Sequence, residues 1–187
     1  LKHQQEMEET TLHFNNALIE IYDHSYTKMN YHSDQALDLA ANSWIALFSC
    51  YEGVNIDEKT LRKLKIQSKI TFEEFEFTLE NNSVILFSLE TNAKFRHKIV
   101  LEPESQPRPN LAGNRWLGIT FRESKTWIHF EGGRPFFDNG NLLALADEDQ
   151  AKNFYQLRGQ ENNDIDFEYP EIRFTLSIGD TLEPTEN

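Results

Sequence analysis

The most constraining feature of this sequence is a series of three short strand-like segments between Glu74 and Leu101. From Phe75 to Leu79, apolar and polar residues alternate, which places the apolar side chains on one face of a pleated strand. The segment from Val84 to Leu89 is apolar on both faces, as in a central strand, and the segment from Phe95 to Leu101 alternates again. Asn81-Asn82 suits a tight hairpin turn. Together these patterns predict an antiparallel meander that other elements must cover.

The first third of the chain predicts two helices. Residues 4–25 carry apolar side chains at helical spacing. A second helix is expected to begin at Ser33 or Asp34 and to end near Glu52, before Gly53. Its apolar residues cover more than half of its circumference, so we expect it to be the main helical cover of the sheet, with Trp44 and Phe48 packed on it. The two helices would form an antiparallel hairpin.

Later segments complete the predicted sheet. Asp57 to Lys65 is typical of a short third helix, and the proline-containing segment from Glu102 to Asn114 of a loop. Further elements follow in chain order: a second hairpin formed by Trp116–Phe121 and Trp127–Phe130, a short edge strand at Phe136-Phe137, a helix capped by Asp147 with Gln150 three places on, and a final strand from Glu171 to Ile178.

The resulting prediction is an α+β fold. It consists of an antiparallel sheet of about six or seven strands, with an N-terminal helical hairpin and a late helix packed on it. A chain of 187 residues suits a single core. We therefore expect one domain over residues 1–179, with the helical hairpin in 1–53, the sheet and late helix in 54–179, and a flexible tail at 180–187.

Charge restricts the classes of partner. The formal net charge is −13, and the acidic residues concentrate at the two ends of the chain. Such a field repels nucleic acid and anionic lipid and attracts basic proteins, although it also serves solubility alone. A basic protein partner is therefore expected, with no nucleic-acid or membrane partner. The single cysteine, Cys50, excludes an internal disulfide and fits a reducing, cytoplasmic location.

No sequence motif for nucleotide binding, serine hydrolysis or zinc proteolysis is present. Four side chains on one face of the predicted first helix have metal-ligand types and spacing: Glu9, His13, Glu20 and His24. A solvated polar face explains the same pattern, and we favour that interpretation. The sequence analysis thus assigns no metal ligand and no cofactor.

Two further groups of residues could carry chemistry. His97 and His129 lie on predicted strands, where they could form an acid–base pair with a carboxylate from Glu74, Glu76 or Glu131. Histidines on half-buried strand faces are the favoured alternative. Arg134, in a glycine turn, could bind an anionic ligand or pair with the acidic ends. No catalytic residue is assigned.

An acidic segment carries the functional prediction. Between Glu161 and Glu171, acids alternate with apolar residues, and the predicted partner-binding residues are Asp164, Asp166, Phe167, Glu168 and Tyr169. An edge strand protected by charge is the alternative. We therefore expect an acidic binding module that masks a basic partner, best exemplified by an immunity-type inhibitor of a bacterial toxin. The alternatives are a hydrolase or lyase using strand histidines and glutamates, and a structural subunit of a larger assembly.

Overall fold

The structure is a computed structural model, and it describes residues 11–53, 61–101 and 115–185. Within these ranges the chain forms mainly strands. In chain order the elements are β1 (Asn16–Tyr22), β2 (Trp44–Tyr51), β3 (Lys63–Ser68), β4 (Glu74–Thr78), β5 (Ser83–Ser88), α1 (Leu89–Lys94), β6 (Phe95–Val100), β7 (Trp116–Arg122), β8 (Ile128–Glu131), β9 (Arg134–Phe137), β10 (Ala144–Leu145), α2 (Glu148–Glu161), β11 (Phe174–Thr175) and a 3₁₀ helix (Ile178–Thr181).

The larger sheet has four antiparallel strands in the order β1-β7-β2-β5. Side chains alternate across it, as the period of two requires. On β7, Trp116, Gly118 and Thr120 are buried, whereas the intervening residues are only partly covered. Glu20 on β1 and Ser49 on β2 both lie opposite Gly118 of β7. Directly opposite residues point to the same face of a sheet, so even-numbered residues of β1 and β7 and odd-numbered residues of β2 share the interior face.

The second sheet has the strand order β4-β3-β6, again antiparallel. An isolated antiparallel bridge between His32 and His97 adds a fourth chain segment beside β6. From β1 to β7 the chain passes back and forth between the two sheets, with only β3 and β4 as consecutive neighbours. This strand order is that of a double-sheet jelly roll.

The core lies between the two sheets. Its buried residues come from both of them: Leu47, Tyr51, Leu64, Leu79, Ile99 and Trp116. The Trp116 indole donates a hydrogen bond to the Ser49 hydroxyl and packs where any side chain on Gly118 would collide with it. The remaining elements are a β8–β9 hairpin, a short parallel β10–β11 pair and α2.

The predicted N-terminal helical hairpin is wrong. Residues 16–22 and 44–51, expected to be helical, are strands of the larger sheet. β2 is a central strand with apolar side chains on both faces, and such a run has no periodicity that separates it from a buried helix. The predicted third helix is wrong where it can be compared, since Lys63–Ser68 is β3; residues 57–60 lie outside the described ranges.

The predicted meander has correctly placed strands but wrong partners. β4 pairs with β3, β5 pairs with β2, and β6 pairs with β3, so β4 and β5 belong to different sheets. The Asn81-Asn82 turn exists, with Asn82 at a φ of 56°, but it carries the chain from one sheet to the other. β5 is an edge strand and not the expected central one.

The same error affects the predicted second hairpin, because β7 pairs with β1 and β2 and β8 pairs with β9. The edge strand at Phe136-Phe137 is confirmed as part of β9. The late helix is confirmed as α2, with the capping box between Asp147 and Gln150. The final strand shrinks to the two residues of β11, and the predicted loop from 102 to 114 lies outside the described residues. No helix in the described ranges is long and apolar enough to cross a membrane.

Candidate metal centre

Three side chains with metal-ligand chemistry meet at the bridge between His32 and β6. His32 and His97 exchange both backbone hydrogen bonds, at N···O distances of 3.0 and 2.7 Å, so they are directly opposite and point to the same side of the sheet. Their rings lie 4.7 Å apart between centroids. Asp34 follows two residues after His32, which returns its side chain to that face in an extended segment. One ligand atom from each residue lies within 4.8 Å of the others.

Neighbouring groups fix these ligands. The carbonyl oxygen of Asn30 lies 3.0 Å from His32 Nδ1; a donating Nδ1–H leaves Nε2 available as a ligand atom, as in most protein metal sites. Asn92, a buried residue of α1, accepts from the backbone N–H of Asp34 at 2.9 Å and donates to its carbonyl at 2.7 Å. The backbone around Asp34 is therefore held by side chains and not by a strand ladder.

Burial leaves one imidazole of the cluster free to bind a metal ion. Burial lowers the pKa of His97 to about 4, against the opposing effect of Asp34, so its ring is neutral and able to ligate at neutral pH. Asp34 Oδ1 lies 3.5 Å from His97 Nε2, and Oδ2 lies 3.3 Å from Arg122 Nε. Within the described ranges, Oδ2 is buried without a hydrogen-bond donor.

A cavity of about 320 Å³ opens beside this cluster, between the two sheets. The apolar part of its wall comes from both sheets and from the segment before His32: Leu18, Met29, Leu47, Leu64, Phe87 and Ile99. Thr120 and Arg122 of β7, Glu20 of β1 and Arg158 of α2 add polar groups. A metal held by the cluster would thus face a cavity in which a small molecule could bind.

Two imidazoles and one buried carboxyl group on one side of a cavity fit a divalent iron ion. This donor set is the 2-His-1-carboxylate facial triad, which leaves coordination positions open and is diagnostic of non-haem Fe(II) oxygenases. The fold and the donor set thus define a candidate mononuclear non-haem iron protein.

Comparison with known families agrees with this class. The family profile of the 2OG-Fe(II) oxygenase superfamily matches residues 2–122, more than half of the chain. The protein belongs to that superfamily. A search of the curated proteins found no match.

The predicted function as an immunity-type inhibitor is therefore wrong, and so is the hydrolase or lyase alternative. The alternative of a structural subunit of a larger assembly stays an untested prediction. Family membership points to an oxygenase-type enzyme. The acidic composition on which the inhibitor prediction rested speaks to association and solubility, not to catalysis.

The proposed acid–base group is only partly assembled. His129 and Glu131 are close, with Nε2 and Oε1 3.4 Å apart, but both lie on the exposed β8 strand. Glu76 pairs with Lys63 on the second sheet, and Glu74 accepts from Gln67. None of these four lines the cavity that contains His97.

The other predicted residues also lie away from the cavity. Arg134 begins β9, and its guanidinium lies 5.7 Å from the Phe136 ring centroid. In the acidic segment, Asp164, Asp166 and Glu168 are exposed, and Phe167 is half-buried. Tyr169 instead points inward and donates to Glu161 at 2.6 Å. A basic protein partner for this segment stays a prediction.

The four residues considered for metal binding do not share a helix face, because the predicted first helix does not exist in the described residues. Glu20 is on β1, and His13 and His24 flank that strand; Glu9 lies outside the described residues. Cys50, expected on a buried helix face, is half-buried on β2.

The metal cluster as a set is not among the sequence predictions, in which His97 is a candidate acid or base and Asp34 a helix cap. The His32-Ser33-Asp34 triplet, followed by a histidine on a strand, was the available pattern, because an H-x-D spacing in an extended segment places two ligands on one side.

Proposed function

We propose that this protein is an oxygenase that uses Fe(II) and 2-oxoglutarate to oxidise a small molecule or an exposed group of a larger one. The observation that carries the proposal is the convergence of His32, Asp34 and His97 within 4.8 Å at the wall of a cavity. The superfamily match supports the choice of metal and co-substrate.

His32, Asp34 and His97 would hold the iron. When bound, Fe(II) would supply the redox and dioxygen chemistry that protein side chains lack. Arg122 lies on the side of Asp34 Oδ2, and Oδ1 lies on the side of His97. The protein therefore holds a carboxyl group next to a neutral imidazole without moving either.

2-Oxoglutarate carries two carboxylates, and the cavity offers two guanidinium groups to receive them. Arg122 is largely buried and lies beside the metal ligands; its Nε–H has no hydrogen-bond acceptor among the described residues. Arg158 reaches the same cavity from α2. Guanidinium groups bind carboxylates by two parallel hydrogen bonds, so either arginine suits this role.

The apolar wall has a separate task. Leu47, Leu64 and Ile99 belong both to the cavity wall and to the packed core, so the space beside the metal ligands is bounded by rigid side chains. Such a wall limits water around the reacting groups, and charge interactions strengthen where water is excluded.

The test is reconstitution with Fe(II) in the absence of oxygen, followed by addition of 2-oxoglutarate and air. We expect one Fe(II) per chain by calorimetry. With ascorbate present as the reductant in place of a substrate, we expect formation of succinate and CO2 that requires both 2-oxoglutarate and air. His97→Ala should abolish metal binding and succinate formation, because it removes one of the three donors and leaves only two.

His129→Ala is the matched control, because it removes an exposed histidine from β8 outside the cavity. It should bind Fe(II) and form succinate as the unaltered protein does. Failure of the unaltered protein to bind a divalent metal, or equal metal binding by His97→Ala, would contradict the proposal.

A further inference from the structure

The backbone that carries Asp34 is fixed by the C-terminal end of α2. Asn162, the residue that caps α2, accepts from the Ser33 N–H through Oδ1 at 2.7 Å. Glu161, the last residue of α2, accepts from the Ala36 N–H through Oε1 at 2.8 Å. These two bonds flank Asp34, and Asn92 holds the N–H of Asp34 itself.

Glu161 occupies a place that is costly for a carboxylate. It is 6% exposed, and it lies at the C-terminal end of a helix, where the helix dipole disfavours negative charge. Burial raises its pKa, while the bonds from Tyr169 and Ala36 oppose that shift. A buried charge persists only when its hydrogen bonds are well satisfied.

Surrounding groups satisfy these bonds. Tyr169 donates to Glu161 Oε2 at 2.6 Å, and the buried Lys69 ammonium donates to the Glu161 carbonyl at 2.6 Å. Lys69 directly follows β3, so it connects the end of α2 to the second sheet. The carboxylate thus accepts from Tyr169 and Ala36, while Lys69 holds the backbone of the same residue, and Oε1 is directed at the segment that carries the metal ligand.

All of α2 lies beyond residue 122, where the superfamily match ends. We propose that Glu161 and Asn162 are positioning residues for the metal centre, through which α2 fixes the Ser33–Ala36 backbone and hence the Asp34 carboxylate. The inference rests on the proposed function, since it assigns these residues a role in holding the iron ligand.

Metal affinity measures this role without requiring turnover. Calorimetric titration with Mn(II), a redox-stable substitute for Fe(II), should show affinity weakened by roughly 10–100-fold in Asn162→Ala, the range found for residues that support metal ligands. Asn162→Asp keeps an acceptor oxygen and should recover most of the affinity. Glu161→Ala should weaken binding by a similar factor, and Glu161→Gln, which also keeps an acceptor, should not.

Asn163→Ala is the control at the neighbouring position. Its side chain donates to the Gly159 carbonyl within the same helix end and makes no bond to residues 33–36, so its Mn(II) affinity should equal that of the unaltered protein. Thermal unfolding of the metal-free variants verifies that each is folded. If Glu161→Ala does not fold, the comparison of Asn162→Ala with Asn162→Asp is sufficient to test the inference.

Two results would overturn the inference, and they are distinguishable. If the unaltered protein binds Mn(II) and Asn162→Ala binds it within twofold, or loses no more than Asn163→Ala, the positioning role is wrong and the proposed function stands. If the unaltered protein binds no divalent metal, both fail together.

Discussion

At the scale of single residues, the site depends on ionisable side chains that are buried or paired by the fold. His97 is kept neutral by burial, with its pKa lowered to about 4, and Asp34 is paired with Arg122. Glu161 shows the opposite case, a carboxyl group whose pKa is raised by burial. Burial disfavours the charged forms of His97 and Glu161, and this costs stability that packing elsewhere must offset.

The raised pKa of Glu161 gives a prediction with a definite sign. Below the ordinary carboxyl pKa of 4.5 the group is protonated in both the folded and unfolded protein, and it contributes no pH dependence. As pH rises above that value, the unfolded chain loses its proton first, so this group lowers the free energy of unfolding.

Glu161→Gln removes this charge and keeps the acceptor for Ala36. We therefore expect the variant to gain stability relative to the unaltered protein between pH 4 and pH 7, with the difference vanishing in acid. Urea unfolding of the metal-free protein at several pH values measures it. If Glu161→Gln instead becomes less stable than the unaltered protein as pH rises, the ionised carboxylate stabilises the fold through Tyr169 and Lys69.

At the scale of secondary-structure elements, β7 is the strand on which the site and the core both depend. It carries Trp116 into the core and Thr120 and Arg122 into the cavity. Gly118 lies between them, and a Cβ at that position would approach the Trp116 ring to 2.1 Å. This glycine is required by a close approach and not by its backbone angles.

Two glycine-to-alanine changes should therefore have opposite effects. Gly118→Ala should cost about 1–3 kcal/mol of unfolding free energy, because the indole must shift within a packed core. Gly159→Ala, on the exposed face of α2 with nothing near the new Cβ, should stabilise by about 0.5–1 kcal/mol through helix propensity. Denaturant unfolding of both variants compares them directly, and a neutral Gly118→Ala would mean that Trp116 has room to move.

The elements also show how far the sequence alone leads. Alternation located β4 and β6, and capping chemistry located the start of α2, since each depends on residues close in the chain. Strand partners depend on distant residues, so the pairing of β5 with β2 could not be read from either segment. β2 was mistaken for a helix because both of its faces are apolar. Asp34 was mistaken for a cap because a cap is predicted from neighbouring residues alone. Its role beside His97 depends on a residue that is distant in sequence.

At the scale of the whole molecule, the site combines parts that the superfamily match covers with parts beyond it. Residues 2–122 include all three proposed metal ligands and Arg122. Arg158, Glu161 and Asn162 come from α2, after that region. The later part of the chain therefore contributes to the cavity as well as to the surface.

Net charge has a consequence for how such an enzyme meets its co-substrate. The protein carries a formal charge of −13, and 2-oxoglutarate is a dianion, so the long-range field opposes their encounter. The arginines that would bind it act only at short range within the cavity. Salt screens the long-range field over about 10 Å at 0.1 M and affects buried contacts much less.

We therefore expect the association rate of 2-oxoglutarate with the Mn(II)-loaded protein to rise as ionic strength increases, whereas the dissociation rate changes little. Stopped-flow measurement at several salt concentrations provides both rates. A monoanionic 2-oxo acid of similar size is the control, and its association rate should rise less steeply because it carries half the charge. Arg122→Met should increase the dissociation rate by roughly 10-fold or more, as expected for the loss of a charged hydrogen bond, and leave the salt dependence of association in place. An association rate that falls with salt would mean that the guanidinium groups of the cavity, and not the net charge of the molecule, govern the approach of the anion.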